Sequence, residues 1–225
     1  MTSIAWWVLA GTAAGAIAGF LVGGIGGRAA MLLLRLTSSD AVLGVVSDDG
    51  FEIGVVSVQT FQLLFLTTVL GGINGVLYAA LRPAIPGRLR LPLWAGFGAL
   101  AGGATIVHDD GVDFTLISPA LLSIGLFVAL PGLAAALVVL LVERWQRAGE
   151  WPHRRLNALV VVASICSVFA LVPAALVAAA AFLIGLAGVG ERLLRAGRIV
   201  VPVGLAVVSI VAGVDLARQS WRILD

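Results

Sequence analysis

The chain of 225 residues is 60% hydrophobic and only 12% charged, with a formal net charge of +2. This apolar share is well above that of soluble domains, so we expect the lipid bilayer, and not nucleic acid, as the main partner. All 14 basic residues are arginine, which excludes a retinal protein because no lysine is present, and both histidines lie outside the predicted spans, which argues against haem.

Seven apolar segments approach the roughly 20 residues that a helix needs to cross a bilayer. They are 4–27, 60–81, 91–107, 116–142, 156–171, 174–190 and 199–217. We therefore predict an all-α fold, a polytopic transmembrane helix bundle of about seven spans that forms a single membrane domain, 1–225. The charge-free run 156–190 is either two spans that Pro173 separates or one span with a re-entrant segment.

The first span carries a glycine at every fourth position, namely Gly11, Gly15, Gly19, Gly23 and Gly27. Residues four apart lie on one helix face, so these glycines predict a glycine zipper, a groove in which a second helix backbone can pack. We expect a packing seam within one subunit. A seam that conducts a solute or forms an oligomer is the alternative.

The loop after the first span contains two runs of β-branched residues around an Asp-Gly turn. This pattern predicts a small external β-hairpin over 41–57. Its acidic residues are Asp48, Asp49 and Glu52.

The second span carries an unusual number of polar residues, and Gln62, Asn74 and Tyr78 fall close to one helical stripe. Polar side chains inside a membrane must face protein or water, because unsatisfied polar groups there are costly. The stripe therefore predicts either hydrogen bonds between helices or residues that line a solute path.

The loop before the fourth span repeats the Asp-Asp-Gly-apolar-acid order of 48–52. This predicts an internal repeat of span, acidic loop and span over 4–81 and 91–142, with three further spans in 156–225. Two parallel repeats would bring the acidic turns together outside the membrane. The candidate cation site or pore mouth then comprises Asp48, Asp49, Glu52, His108, Asp109, Asp110 and Asp113.

Carboxylates that lie so near one another repel, so the cluster needs a counter-charge. Arg28 and Arg35 are candidates, and a divalent cation such as Ca²⁺ or Mg²⁺, which prefers oxygen ligands, is another. The cluster could also concentrate cations at a pore mouth. The alternative is that both Asp-Gly sequences are turns and nothing more.

Arginines concentrate in three loops, around 82–90, 144–155 and 192–198. Because cytoplasmic loops are enriched in arginine, these loops predict an N-terminus inside and a C-terminus outside the cell. The arginine-only, alanine- and glycine-rich composition is typical of GC-rich bacterial genomes, so we expect the bacterial plasma (inner) membrane.

Three functions are compatible with these features. The first is a transport or channel-type protein, or a permease subunit, for a cation or small solute. The second is a structural or accessory subunit of a larger membrane complex, either with other chains or as a homo-oligomer. The third is a metal-dependent membrane enzyme that acts on lipid head groups. The chain has no recognised catalytic motif, so the third function has the least support.

Overall fold

The structure is a computed structural model that describes residues 4–38, 58–109, 114, 119–148 and 190–224. Five helices account for nearly all of this part of the chain. Helix α1 consists of Ile4–Ala18, a π-helical stretch Gly19–Gly26, and Gly27–Thr37. Helix α2 is Val58–Leu81, and α3 consists of Arg90–Phe97, a π-helical stretch Gly98–Gly102, and Gly103–Ile106. Helix α4 is Ala120–Ala148 and α5 is Gly190–Leu224.

Four of these helices are long and apolar enough to cross a membrane, over Trp7–Thr37, Val58–Ala84, Ala120–Arg147 and Gly197–Leu224. They are compatible with a membrane protein, and the predicted all-α class is confirmed for the described residues. Helix α3 coincides with the third predicted span but is shorter than the other four helices.

Within the described residues, the structure supports four candidate spans by length and composition, and it does not support the full count of seven that hydropathy predicts. Two of the predicted spans, 156–171 and 174–190, lie outside the described residues, as does the hairpin expected over 41–57. The seven-span count, the orientation in the membrane and the hairpin stay predictions.

Prolines shape the connection between α2 and α3. Helix α2 ends at Leu81, and Pro83 follows within the 3₁₀ turn Arg82–Ala84. Ile85 is extended, as the residue before Pro86 is expected to be, because the ring of a proline disfavours helical backbone at the preceding residue. A second 3₁₀ turn, Gly87–Leu89, leads directly into α3.

Contacts between helices define the direction of each one. Helix α2 runs antiparallel to α1, since later residues of one meet earlier residues of the other. The pairs in contact are Gly11 with Gly75, Gly19 with Thr67, and Gly24 with Leu64. Helix α4 is likewise antiparallel to α1 and to α3. Helix α5 runs parallel to α3, and its contacts keep one register: Gly197 with Ala84, Gly213 with Leu100, Leu216 with Gly103, and Arg222 with Asp109.

The bundle consequently has two distinct ends. We call one the arginine-rich end, because its described side chains include Arg82, Arg88, Arg90, Arg144, Arg147 and Arg198. It holds the starts of α1, α3 and α5 and the ends of α2 and α4. The opposite end holds Asp109 and Arg222.

The α1–α2 seam is closed by backbone contact. A Cβ atom at Gly15 would overlap the carbonyl oxygen of Gly71 and lie 2.9 Å from the nitrogen of Gly75. Cβ atoms at Gly11 and Gly19 would also overlap or crowd the backbone of α2, whereas nothing lies within 4 Å of a Cβ atom at Gly27. The glycine repeat thus borders helix α2 of the same chain along most of its length, which is the contact expected for small residues in lipid.

A second close seam joins α3 to α4. A Cβ atom at Gly98 would lie 2.6 Å from the Cβ of Ala135, and one at Gly102 would lie 2.5 Å from the Cβ of Pro131. Gly132 of α4 faces Ala99 in return, at 2.9 Å. In each seam one of the two helices, α1 or α3, contains a π-helical stretch.

Burial decreases from α1 to α5. In the most apolar stretch of each helix, 61% of the residues of α1 are buried, compared with 11% of those of α5. The main core lies towards the arginine-rich end and includes Ala14, Tyr78, Trp94 and Val138. Helix α1 is therefore the centre of the described bundle, and α5 is its least covered member.

Candidate functional site

A carboxylate on α4 is the centre of a polar network at the arginine-rich end. Both oxygens of Glu143 accept hydrogen bonds from Arg82, from Nε at 2.6 Å and from Nη2 at 3.0 Å. Arg90 Nη1 donates to the same two oxygens, at 3.1 and 3.2 Å. The hydroxyl of Tyr78 donates to Glu143 Oε1 at 2.9 Å. One carboxylate thus connects α2, the turn that follows it, α3 and α4.

Further contacts tie this network to its surroundings. Arg82 also donates to the side-chain oxygen of Gln146, one helical turn beyond Glu143. Its guanidinium lies over the ring of Trp7, 4.7 Å from the centroid, in a cation–π contact. Arg90 Nε donates to the carbonyl oxygen of Ile85 at 3.2 Å. All of the first four helices therefore contribute to this site.

The network is partly shielded from solvent and carries unequal charge. The side chains of Arg82, Glu143 and Arg90 are 11%, 17% and 20% exposed. Two guanidinium groups share one carboxylate, which leaves an excess positive charge. Because both carboxylate oxygens already accept at least two hydrogen bonds, Glu143 holds helices together and has no free lone pair directed at a substrate.

The polar stripe of α2 forms contacts between helices. Trp94 Nε1 donates to Asn74 Oδ1 at 3.0 Å, and the rings of Trp94 and Tyr78 are 5.4 Å apart. Tyr78 and Trp94 are both fully buried. Gln62, nearer to the opposite end, is exposed. Of the three residues expected to line a path, two therefore bond to neighbouring helices.

At the opposite end, Asp109 forms an ion pair within the chain. Arg222 Nη1 lies 2.9 Å from Asp109 Oδ2, and the Asp109 backbone N–H donates to Gln219 Oε1 at 3.0 Å. His108 is exposed, with Nδ1 3.2 Å from the carbonyl oxygen of Ile106. The counter-charge that the structure gives Asp109 is Arg222.

The two arginines expected to balance the acidic turns lie on α1. Arg28 Nη2 donates to the hydroxyl of Thr60 on α2, at 2.6 Å. Arg35, two turns further along, is half-buried.

Most of the predicted cation site falls outside the described residues, namely Asp48, Asp49, Glu52, Asp110 and Asp113. Within the described ranges, no group of three or more histidine, cysteine, aspartate or glutamate side chains could hold a metal ion. The Ca²⁺ or Mg²⁺ site and the contact between the two acidic turns therefore stay predictions, as does the metal-dependent enzyme that would need them.

Glu143 was absent from the sequence-based candidates. The available signal was its position, since it is the first charged residue after the apolar run 116–142 and two arginines follow it closely. That pattern is also typical of any cytoplasmic helix end, so it does not identify the partners. The hydrogen bond from Trp94 to Asn74 was not predicted either.

Comparisons of this chain with protein-family models, with curated proteins and with solved structures find no match.

Proposed function

We propose that the protein is a small integral membrane protein with a structural or accessory role in a larger membrane complex. One observation carries this proposal: two of the three polar residues of α2 that are candidates for lining a path, together with two glycines of the same helix, are engaged in contacts with other helices. Asn74 bonds to Trp94, Tyr78 bonds to Glu143, and Gly71 and Gly75 face the backbone of α1. A bundle whose polar groups are used in this way is better suited to supporting partner helices than to conducting a solute.

The proposed arrangement in the membrane follows from charge and hydropathy. We propose seven spans, with the arginine-rich end in the cytoplasm and the C-terminus outside, in the plasma membrane of a bacterium. Helix α5 would offer the surface for partner helices, in a homo-oligomer or a complex with other chains, because it is the least covered of the candidate spans.

A flux assay tests the proposed role directly. Purified full-length protein is placed in liposomes, and the flux of Na⁺, K⁺, H⁺ and Ca²⁺ is compared with that of protein-free liposomes. We expect no difference for any ion. Flux of any of these ions above the background of protein-free liposomes would overturn the structural role and establish transport.

A second assay tests assembly. We expect the native mass after mild solubilisation from source membranes to exceed the 23.1 kDa of one chain. Val207→Trp on α5, where the parent residue is 53% exposed, should lower this mass. Leu133→Trp on α4, where the parent residue is 58% exposed, is the matched control and should leave it unchanged. If the parent and both variants all had the native mass of a single chain, assembly would be refuted.

Transport of a cation or small solute is the second candidate function. The observation in its favour is the Glu143 network, since ionisable groups within membrane helices commonly belong to ion or substrate pathways. In this alternative the network closes one end of the bundle, and Asp109 with the other acidic residues attracts the cation. The flux assay distinguishes the two functions.

A further inference from the structure

The arginine-rich end carries far more positive than negative charge among its described side chains. Six arginines lie there, and Glu143 is the one carboxylate described beside them. Arg82 and Arg90 both bond to that carboxylate. The remaining four, Arg88, Arg144, Arg147 and Arg198, are exposed and form no ion pair or hydrogen bond with any other described residue. Four positive charges without a described counter-charge at one end of the bundle favour a bound anion.

The four exposed arginines lie where three elements reach the same end of the bundle. Arg88 is in the turn between α2 and α3, two residues before Arg90, which bonds to Glu143. Arg144 and Arg147 are on the last turns of α4, beside Glu143. Arg198 follows Gly197, where an added Cβ atom would lie 3.7 Å from the Cβ of Ala84. The four arginines thus lie at the same end of the bundle as the Glu143 network.

The position of the four exposed arginines along the helices indicates which anion they would bind. These arginines lie at or beside the ends of candidate spans, and Trp7, Trp94 and Trp145 lie near the same end. Tryptophans at helix ends mark the headgroup region of a bilayer. The planar guanidinium group can bind two phosphate oxygens at once. An anion at this level in a membrane is the phosphate of a lipid headgroup.

We propose that the arginine-rich end binds the headgroups of anionic phospholipids, through Arg88, Arg144, Arg147 and Arg198. The opposite end differs, because Arg222 is paired with Asp109 and Arg28 bonds to Thr60. Basic clusters between membrane helices on one side of a bilayer are suited to such headgroups. This binding is independent of whether the protein transports a solute or supports a complex.

Native mass spectrometry of the full-length protein tests the proposal. The protein is released from micelles that contain equal amounts of phosphatidylglycerol and phosphatidylcholine, and the ratio of the two bound lipids is measured. We expect phosphatidylglycerol to be retained preferentially. Arg88→Gln combined with Arg144→Gln should lower the ratio by about 25-fold, since each arginine near an anionic surface contributes about fivefold to binding.

Arg218→Gln is the matched control, because Arg218 is an exposed arginine of α5 towards the opposite end. It should leave the lipid ratio unchanged. A second measurement does not depend on a variant: the preference of the wild-type protein should fall in about 1 M salt, where the screening length is about 3 Å.

Three results would overturn the proposal. Equal retention of the two lipids by the wild-type protein is the first. The second is a loss of preference in the Arg88→Gln, Arg144→Gln double variant that is no greater than the loss in Arg218→Gln. The third is competition by millimolar inorganic phosphate that removes all preference, which would assign the arginines to a soluble phosphate and not to a lipid.

Discussion

The Gly15→Ala substitution tests how closely α1 and α2 approach. The added methyl group would overlap the carbonyl oxygen of Gly71 and would lie 2.8 Å from its carbon, whereas ordinary contacts are 3.4–4 Å. Both atoms belong to the backbone of α2, so no side chain can rotate away. The helices must separate, or the backbone of α2 must shift.

The expected magnitude combines two opposing contributions. Overpacking a close interface costs about 1–3 kcal/mol. Alanine in place of an interior glycine contributes about 0.5–1 kcal/mol in favour of the helix. We therefore expect Gly15→Ala to lower the free energy of unfolding by up to about 2.5 kcal/mol, which corresponds to a decrease in Tm of up to about 10 °C in a chain of this size.

Gly27→Ala is the matched control, because it changes the same repeat where nothing lies within 4 Å of the new Cβ atom. We expect it to be neutral or stabilising. The assay is thermal unfolding of detergent-purified protein, followed by tryptophan fluorescence and far-UV circular dichroism. If Gly15→Ala proves as stable as Gly27→Ala, the two helices do not meet by backbone contact and the reasoning about this seam is wrong.

Three further substitutions test the polar contacts. Glu143→Gln should destabilise the protein by about 3 kcal/mol, because it leaves two partly buried guanidinium groups without their carboxylate. Trp94→Phe should cost about 1–2 kcal/mol, because Asn74 loses its donor. Asp109→Asn should cost less than about 1 kcal/mol, since its partner Arg222 is 68% exposed, and the loss should shrink as salt is added.

The same unfolding assay measures all three, and the exposed pair is the control for the buried network. Equal losses for Glu143→Gln and Asp109→Asn would contradict the structural importance of the network. Stability of Trp94→Phe equal to that of the parent would show that the hydrogen bond to Asn74 contributes nothing net. A loss in Asp109→Asn that does not depend on salt would contradict a solvent-screened pair.

The Gly19→Leu substitution illustrates how the tertiary structure changes the meaning of a sequence pattern. A glycine groove on an isolated helix is equally suited to a partner chain or to a helix of the same chain. In the structure a Cβ atom at Gly19 overlaps the carbonyl oxygen of Thr67. Substitution there is therefore expected to disturb the fold itself, so it does not serve as a test of docking by another protein.

The sequence predicted that the polar residues of α2 form a stripe, but it did not predict which residues they contact. Their spacing places Asn74 and Tyr78 on one face, and the cost of burying polar groups in lipid requires some partner for each. Whether that partner is water or protein depends on which helix lies alongside. Trp94 and Glu143 come from α3 and α4, and no local pattern in the sequence connects them to α2.

The sequence by itself determined the helical class, the apolar segments of the four candidate spans, and the concentration of arginine near one set of helix ends. These properties follow from composition and spacing along a single helix, so they need no knowledge of neighbours. Only the tertiary structure decided that the glycines of α1 face α2, that Glu143 joins Arg82 to Arg90, and that Asp109 pairs with Arg222. Each of these contacts joins residues far apart in the chain, and short-range patterns do not specify which helices pack together.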